Sequence, residues 1–147
     1  MKILFILLQL WLACVSSLMA QKSEVFNSEG KAIRGYDAVS YFTESKARQG
    51  SAQFVHSWKG SEWFFVSKQN LQAFIENPEK YAPQYGGYCA YGMGEGHKAT
   101  TQPDAWTIVN GKLYLNYNKE VQKLWNANQS KYVQMADKNW PALKNKE

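Results

Sequence analysis

An internal repeat constrains the fold of this chain more than any other feature of its sequence. When the sequence is shifted by 51 positions, the separation of Gly60 and Gly111, its two halves align without a gap. The paired residues are Gly60 with Gly111, Trp63 with Tyr114, Lys68 with Lys119, Phe74 with Trp125, Asn77 with Asn128, Lys80 with Lys131, and Tyr81 with Tyr132. A true repeat predicts two units packed as a pseudo-symmetric pair. The alternative is a chance match between two units of the same local type.

Each half begins with a hairpin signal. Lys59-Gly60 and Asn110-Gly111 each separate two runs of aromatic and β-branched residues. Asn-Gly between alternating apolar residues is the strongest short-range hairpin signal in a sequence. The expected strands are residues 53–58, 62–66, 106–109 and 112–117.

A helical pattern follows each hairpin. Ser67 and Asn118 are preferred N-cap residues, and the spacing of Leu71, Phe74 and Ile75 predicts that these three side chains form the inner face of the first helix. The expected helices are residues 68–76, 119–126 and 130–140, the last ending before Pro141.

These elements predict a small α+β domain of two pseudo-repeated units, each a β-hairpin plus a helix. The chain is long enough for one domain with its own core. The expected organisation is a signal peptide at 1–20, a polar and at best partly ordered segment at 21–34, and one domain at 35–147, with half-units at about 52–82 and 103–133 joined by 83–102.

The N-terminus has the pattern of a targeting segment. Lys2 supplies a positive charge, residues 3–13 are apolar, and small residues lead up to Ala20. We expect cleavage after Ala20 and a periplasmic or secreted protein, with no membrane association afterwards. Lipid attachment at Cys14 is the alternative, in which case the protein would be membrane-anchored.

The charge of the chain does not favour nucleic-acid binding. Seventeen Lys and Arg residues face twelve Asp and Glu residues, but the lysines are scattered and form no run. Such a surface favours solubility more than it resembles a phosphate-binding stripe.

The stretch with the most chemistry is QYGGYCAYGMGEGHK, residues 84–98. On a helix, Cys89, Met93 and His97 would share one face. A thiolate, a thioether and an imidazole together suit Cu(I) better than a hard cation. The preceding Gly86-Gly87 pair is expected to expose backbone N–H groups that favour the thiolate.

Two observations favour a structural role for the same stretch. Its glycines lower helix propensity by roughly 1 kcal/mol each, so an irregular loop is the alternative to a helix. A single Cys between two tyrosines is often a small buried hydrophobic residue. His56, in the first hairpin, is a further candidate metal ligand, with an ordinary surface histidine as the alternative.

The motifs GYDAVSYF, WKGSEWFFVS, AFIENPEKYAPQYGGYCAYG and DAWTIVNGKLYLNYN together resemble those of exported YHS-domain proteins. The resemblance covers nearly all of the chain after residue 20. It implies a small α+β fold in which a hairpin packs on a helix. It also implies a link to metal handling, because similar domains accompany copper-transporting ATPases.

This sequence departs from the metal-handling members of that family. Their cysteines correspond to Ser40, Val66 and Asn70 here, none of which is a thiol. The position of Cys89 resembles one that selenocysteine occupies in some exported members. That exchange implies redox or soft-metal chemistry.

Three functions follow from these observations; a non-enzymatic one is favoured, and soft-metal binding through Cys89 is preferred over the other two. The first is soft-metal binding or trafficking, with copper held by Cys89, Met93, His97 or His56 and a metal ion or metal-handling protein as partner. The second is a non-catalytic binding or scaffold module in which Cys89 is structural. The third is a single-cysteine redox protein, since no resolving cysteine is present for a dithiol cycle.

Overall fold

The computed structural model describes residues 23–146. The expected signal peptide and Cys14 lie outside these residues. The described part combines helices with two separate sheets and is therefore α+β, as the sequence predicts. No helix within it is long and apolar enough to cross a membrane.

The first sheet contains four strands in the order β1-β2-β4-β3. These are β1 (Asn27–Ser28), β2 (Lys31–Ala32), β3 (Ser51–Trp58) and β4 (Ser61–Phe65). Strand β2 pairs parallel with β4, and the other neighbours pair antiparallel. The segment that we expected to be partly ordered is thus packed from Ser23 onward, because Val25, Phe26 and Ile33 are buried in the core.

Both predicted hairpins are present. Strands β3 and β4 join at Lys59-Gly60, where φ is 49° and 73°. The second sheet consists of β5 (Trp106–Val109) and β6 (Lys112–Leu115). They join at Asn110-Gly111, where φ is 51° and 72°. Two consecutive positive φ values define the tight hairpin turn that Asn and Gly adopt most readily.

Three helices of the described part begin within one residue of their predicted starts: α2 (Lys68–Glu76), α5 (Lys119–Asn126) and α6 (Gln129–Leu143). Three shorter ones are not among the predicted helices: α1 (Ser40–Thr43), α3 (Pro78–Tyr81) and α4 (Ala90–Gly94). Helix α6 does not end before Pro141 but runs through it, because the proline lies in the last turn and the Lys144 N–H still reaches the Trp140 carbonyl at 2.8 Å.

The inner face of α2 is narrower than the sequence pattern indicates. Phe74 is fully buried and Leu71 packs at the edge of the core, but Ile75 is 41% exposed. The prediction for Ile75 is therefore wrong. Phe74 stacks on Trp63 with ring centroids 4.9 Å apart, and this contact fixes which side of α2 faces the sheet.

The interior contains two core clusters. The first core cluster joins Trp63, Phe65 and Phe74 to Leu113 and Leu115, so it includes side chains from both hairpins. The second core cluster lies under α4, α5 and α6. Its buried members are Phe26, Tyr85, Tyr88, Ala90, Met93, Tyr114, Trp125 and Ala136.

Several local features recur in the two hairpin–helix units. Ser67 and Asn118 each accept a hydrogen bond from the N–H three residues ahead, at 3.1 and 2.8 Å. Asn77 and Asn128, which follow the two helices, have φ of −151° and −153° with ψ of 73° and 55°. The pseudo-repeat itself stays a prediction, and superposing residues 58–81 on 109–132 is its test.

Candidate functional site

Cys89 is a buried thiol at the N-cap position of α4. Only 1% of the residue is exposed. Its Sγ accepts hydrogen bonds from the backbone N–H of Gly92 at 3.4 Å and of Tyr117 at 3.3 Å, and it donates to Asn116 Oδ1 at 3.5 Å. These contacts join the start of α4 to the connection between β6 and α5.

Burial affects the pKa of the Cys89 thiol more strongly than its hydrogen bonds do. Loss of solvent raises the pKa of Cys89 above its ordinary value of 9.0, while hydrogen bonds from the N–H groups of Gly92, Tyr117 and Tyr91 act in the opposite direction. The N–H donors that we expected do exist, but they come from these residues and not from Gly86-Gly87. Because the net direction is upward, the expectation of a favoured thiolate is wrong.

Asn116 and Cys89 together form a buried polar centre. Sequence reasoning did not single out Asn116. The residue is fully buried, and its Oδ1 accepts from the Tyr91 N–H at 3.1 Å as well as from the thiol. Its Nδ2 finds no hydrogen-bond partner among the described residues. The Tyr91 N–H fixes the orientation of the amide, since the reverse orientation would place two donors against each other. The sequence signal is only a polar residue ending an apolar strand.

The structure does not place Cys89, Met93 and His97 on one helical face. Helix α4 ends at Gly94, so Cys89 precedes it and His97 lies on the turn beyond it. Met93 is fully buried in the second core cluster, whereas His97 is exposed. His56 lies on β3, where its ring centroid is 6.4 Å from that of Phe74.

These positions do not fit the copper site that the sequence suggested. Within residues 23–146, no group of three or more His, Cys, Asp or Glu side chains is arranged to hold a metal ion. Cys89 is the one soft thiol donor in that range. The assignment of Cys89, Met93, His97 and His56 as metal ligands stays a prediction that the arrangement of side chains does not favour.

A second buried polar centre surrounds Asp37, which sequence reasoning missed. Asp37 is fully buried. Its Oδ1 accepts from the N–H groups of Val39 at 2.8 Å and Ser40 at 3.2 Å, at the start of α1. Its Oδ2 accepts from the Val66 N–H at 2.9 Å and from Asn70 Nδ2 at 2.8 Å. Asp37 precedes α1 by three residues, and this N-terminal position is the signal that could have found it.

This centre contains all three positions at which the family resemblance implies cysteines in metal-handling relatives. Ser40, Val66 and Asn70 meet around Asp37, and Asn70 Nδ2 also lies 3.4 Å from Ser40 Oγ. Serine, valine and asparagine occupy these positions here, and the Asp37 carboxylate between them accepts hydrogen bonds from four N–H donors of the chain itself. Because none of these side chains is a soft donor, the centre does not fit a Cu(I) site.

The centres around Asp37 and Cys89 have the same arrangement of hydrogen bonds relative to their hairpins and helices. Val66 and Tyr117 each directly precede the N-cap residue of the helix that follows their hairpin. The Val66 N–H donates to Asp37, and the Tyr117 N–H donates to Cys89. Each acceptor also binds an N–H group in the first turn of a short helix. A carboxylate therefore occupies one centre and a thiol the corresponding place in the other.

The described residues thus form a small α+β domain of hairpin–helix units with two buried polar centres, one around Asp37 and one around Cys89. Residues 39–85 match the family model of the YHS domain, so the chain contains a YHS domain. The match includes the Asp37-bound positions Ser40, Val66 and Asn70 but ends before Cys89. No curated protein and no solved structure matches the chain.

Proposed function

We propose that this protein is a non-catalytic binding module containing a YHS domain, in which Cys89 has a structural role. One observation carries the proposal. The thiol is 1% exposed and exchanges hydrogen bonds with Gly92, Asn116 and Tyr117 of its own chain. A side chain in that position joins two segments of the fold.

The acidity of the thiol supports this role. The thiolate is the form of cysteine that attacks electrophiles and binds metals. Burial raises the pKa of Cys89, so the neutral thiol predominates at neutral pH. Chemistry at the sulfur would then need both a local opening and the loss of a proton.

The Asp37 centre supports the same conclusion for the matched YHS segment. Its carboxylate oxygens accept hydrogen bonds from three backbone N–H groups and one side-chain amide. A buried polar group satisfied in this way stabilises the fold, and removing its partners is costly. Ligand binding is therefore assigned to the surface of the domain.

A second candidate function is soft-metal binding, with Cu(I) on Cys89 of an exported protein and a metal-handling protein as partner. The observation in its favour is the pair of backbone N–H groups that point at Sγ. The N–H groups of Ser40 and Val66, which are placed in the same way, donate to the Asp37 carboxylate. A pair of N–H groups in this arrangement is therefore compatible with a negatively charged acceptor. A redox role through Cys89 alone would use the same thiolate.

One set of measurements on the mature chain distinguishes these functions. The structural role predicts that the thiol resists alkylation until the protein unfolds and that the protein does not compete with a Cu(I) chelator. Cys89→Ala should lower the free energy of unfolding by about 1–3 kcal/mol, because the Gly92 and Tyr117 N–H groups lose their acceptor. Cys89→Ser should cost less, since its hydroxyl keeps an acceptor there. Ser57→Ala, on the exposed side of β3, is the control.

Rapid alkylation of the folded protein, or stoichiometric Cu(I) binding that Cys89→Ser removes, would contradict the structural role. Copper binding together with unchanged stability of the metal-free variant supports the soft-metal function. Rapid alkylation without copper binding, accompanied by reaction with peroxide, supports the redox function.

A further inference from the structure

A small pocket of about 120 Å³ lies where three parts of the chain meet. Its lining includes Trp58 and Trp63 of the first hairpin, Tyr85 of the turn at residues 84–87, and Trp140 of α6. The volume is well below the roughly 300–1,000 Å³ of pockets for drug-sized ligands. Since water occupies about 30 Å³ in the liquid, the pocket has room for a small head group.

An intramolecular cation already interacts with the wall of this pocket. The Lys59 ammonium lies 4.6 Å from the centroid of the Trp58 ring. It also forms ion pairs with Glu24 at 3.2 Å and Glu79 at 3.3 Å. All four residues line the pocket, so the chain itself places a cation there against a tryptophan face and two carboxylates.

The charges of the lining favour a further positive charge. Glu24 and Glu79 contribute two negative charges and Lys59 one positive charge, which leaves the pocket with a net negative charge. Tyr85 adds none, because burial raises the pKa of its hydroxyl. Tryptophan is the aromatic residue that attracts cations most strongly, and cages of aromatic side chains recognise quaternary ammonium groups.

Lys59 is able to leave the pocket. It lies at the tip of the β3–β4 turn, and 34% of its side chain is exposed. An extended lysine can place its ammonium in water while the turn keeps its backbone conformation. Its departure would uncover the Trp58 ring and release both carboxylates for another cation.

We propose that this pocket binds the trimethylammonium group of a small organic cation of the choline type, and that Lys59 occupies the position of this group when the ligand is absent. The proposal rests on the proposed binding function and names a ligand class for it. It does not involve Cys89.

The test is a titration of the mature chain with choline. Binding is monitored by tryptophan fluorescence and by NMR of the indole N–H groups. We expect saturable binding that shifts the Trp58 resonance. The neutral isostere of choline, with carbon in place of the quaternary nitrogen, should bind at least about fivefold more weakly, because it lacks the attraction to the ring and the carboxylates.

Three surface variants, one of them a control, test the roles of the charges without disturbing the core. Lys59→Ala should strengthen choline binding severalfold, because it removes the internal competitor. Lys112→Ala, which removes the same charge from an exposed position on β6, should not. Glu79→Gln should weaken binding, and its side chain is 74% exposed, so the fold should tolerate the change.

Absence of saturable binding by both the natural chain and Lys59→Ala would overturn the proposal. Equal affinity for choline and its neutral isostere would also overturn it, because the site would then be merely apolar. Neither result would alter the thiol and copper measurements on Cys89, so failure here is distinguishable from failure of the proposed function.

Discussion

Asp37 and Cys89 occupy corresponding places but restrain the chain with different strength. The Asp37 carboxylate accepts four N–H donors at 2.8–3.2 Å. The Cys89 sulfur accepts two, at 3.3 and 3.4 Å. Hydrogen bonds to a charged acceptor are shorter and roughly twice as strong as neutral ones. Asp37 is therefore the stronger of the two links between a short helix and its hairpin.

We predict that Asp37→Asn lowers the free energy of unfolding by about 2–4 kcal/mol, measured by urea denaturation at neutral pH. The new amide nitrogen would face an N–H donor whichever way the side chain turns, and at least one buried donor would lose its acceptor. Asp104→Asn, at an exposed position, is the matched control and should change stability by less than about 0.5 kcal/mol. Equal effects of the two substitutions would show that the Asp37 hydrogen bonds do not stabilise the fold.

At the scale of elements, the turn at residues 84–87 ties the N-terminal segment to the domain. The Gly86 carbonyl accepts from the Phe26 N–H at 2.8 Å, and the neighbouring Tyr88 hydroxyl donates to the Ser23 carbonyl at 2.9 Å. Gly86 has φ of 63° and lies directly against the backbone of Glu24 and Val25. Glycine is needed there both for its conformation and for the close approach of two segments of the chain.

This close approach makes Gly86→Ala more damaging than a typical glycine substitution. A Cβ at Gly86 would overlap the Glu24 carbonyl and lie 3.1 Å from the Val25 Cα. Gly60→Ala is the matched control, because φ there is also positive, at 73°, but a Cβ would meet nothing within 4 Å. We expect about 1 kcal/mol of destabilisation for Gly60→Ala from its backbone alone, and about 2–3 kcal/mol more for Gly86→Ala. Similar thermal unfolding of the two variants would contradict this packing.

The elements that sequence could predict are those whose conformation is set within a few residues. Asn-Gly fixes a hairpin turn through its own φ preferences, and Ser67 and Asn118 begin their helices because each satisfies a nearby N–H. The exposure of Ile75 is not predicted, because helical spacing alone does not show how wide a strip of the helix the sheet covers. The sheet residues Trp58, Trp63 and Phe65 all pack on Phe74, and Ile75 lies outside this contact.

The buried centres could not be predicted because their partners are distant in sequence. Asp37 meets Asn70 across 33 positions, and Cys89 meets Asn116 across 27. Helical spacing predicts a metal site in residues 84–98, but α4 ends at Gly94 because glycines at 92, 94 and 96 weaken the helix. A thiol expected to be reactive is instead enclosed by the second half of the chain.

At the scale of the whole molecule, the matched YHS segment does not contain its own complete core. Residues 39–85 supply Trp63, Phe65 and Phe74 to the first core cluster, but Leu113 and Leu115 come from the second hairpin. Polar contacts also cross the boundary. The Tyr41 hydroxyl donates to the Pro103 carbonyl at 2.8 Å, and burial raises the pKa of this hydroxyl, so it stays protonated as a donor.

We therefore predict that residues 23–85, expressed alone, do not fold cooperatively, whereas residues 21–147 unfold in a single transition. The fragment would expose the side of the first core cluster that Leu113 and Leu115 cover, and a chain of that size has little apolar burial to spare. Near-UV circular dichroism and urea denaturation, which report aromatic packing and cooperativity, provide the measurement. Leu113→Ala tests the same contact in the intact chain and should cost about 2–5 kcal/mol, whereas Leu124→Ala, at a position 55% exposed, should cost far less. A fragment that unfolds cooperatively, with native-like aromatic signals, would instead define the YHS segment as an independent folding unit and the second hairpin as an addition to it.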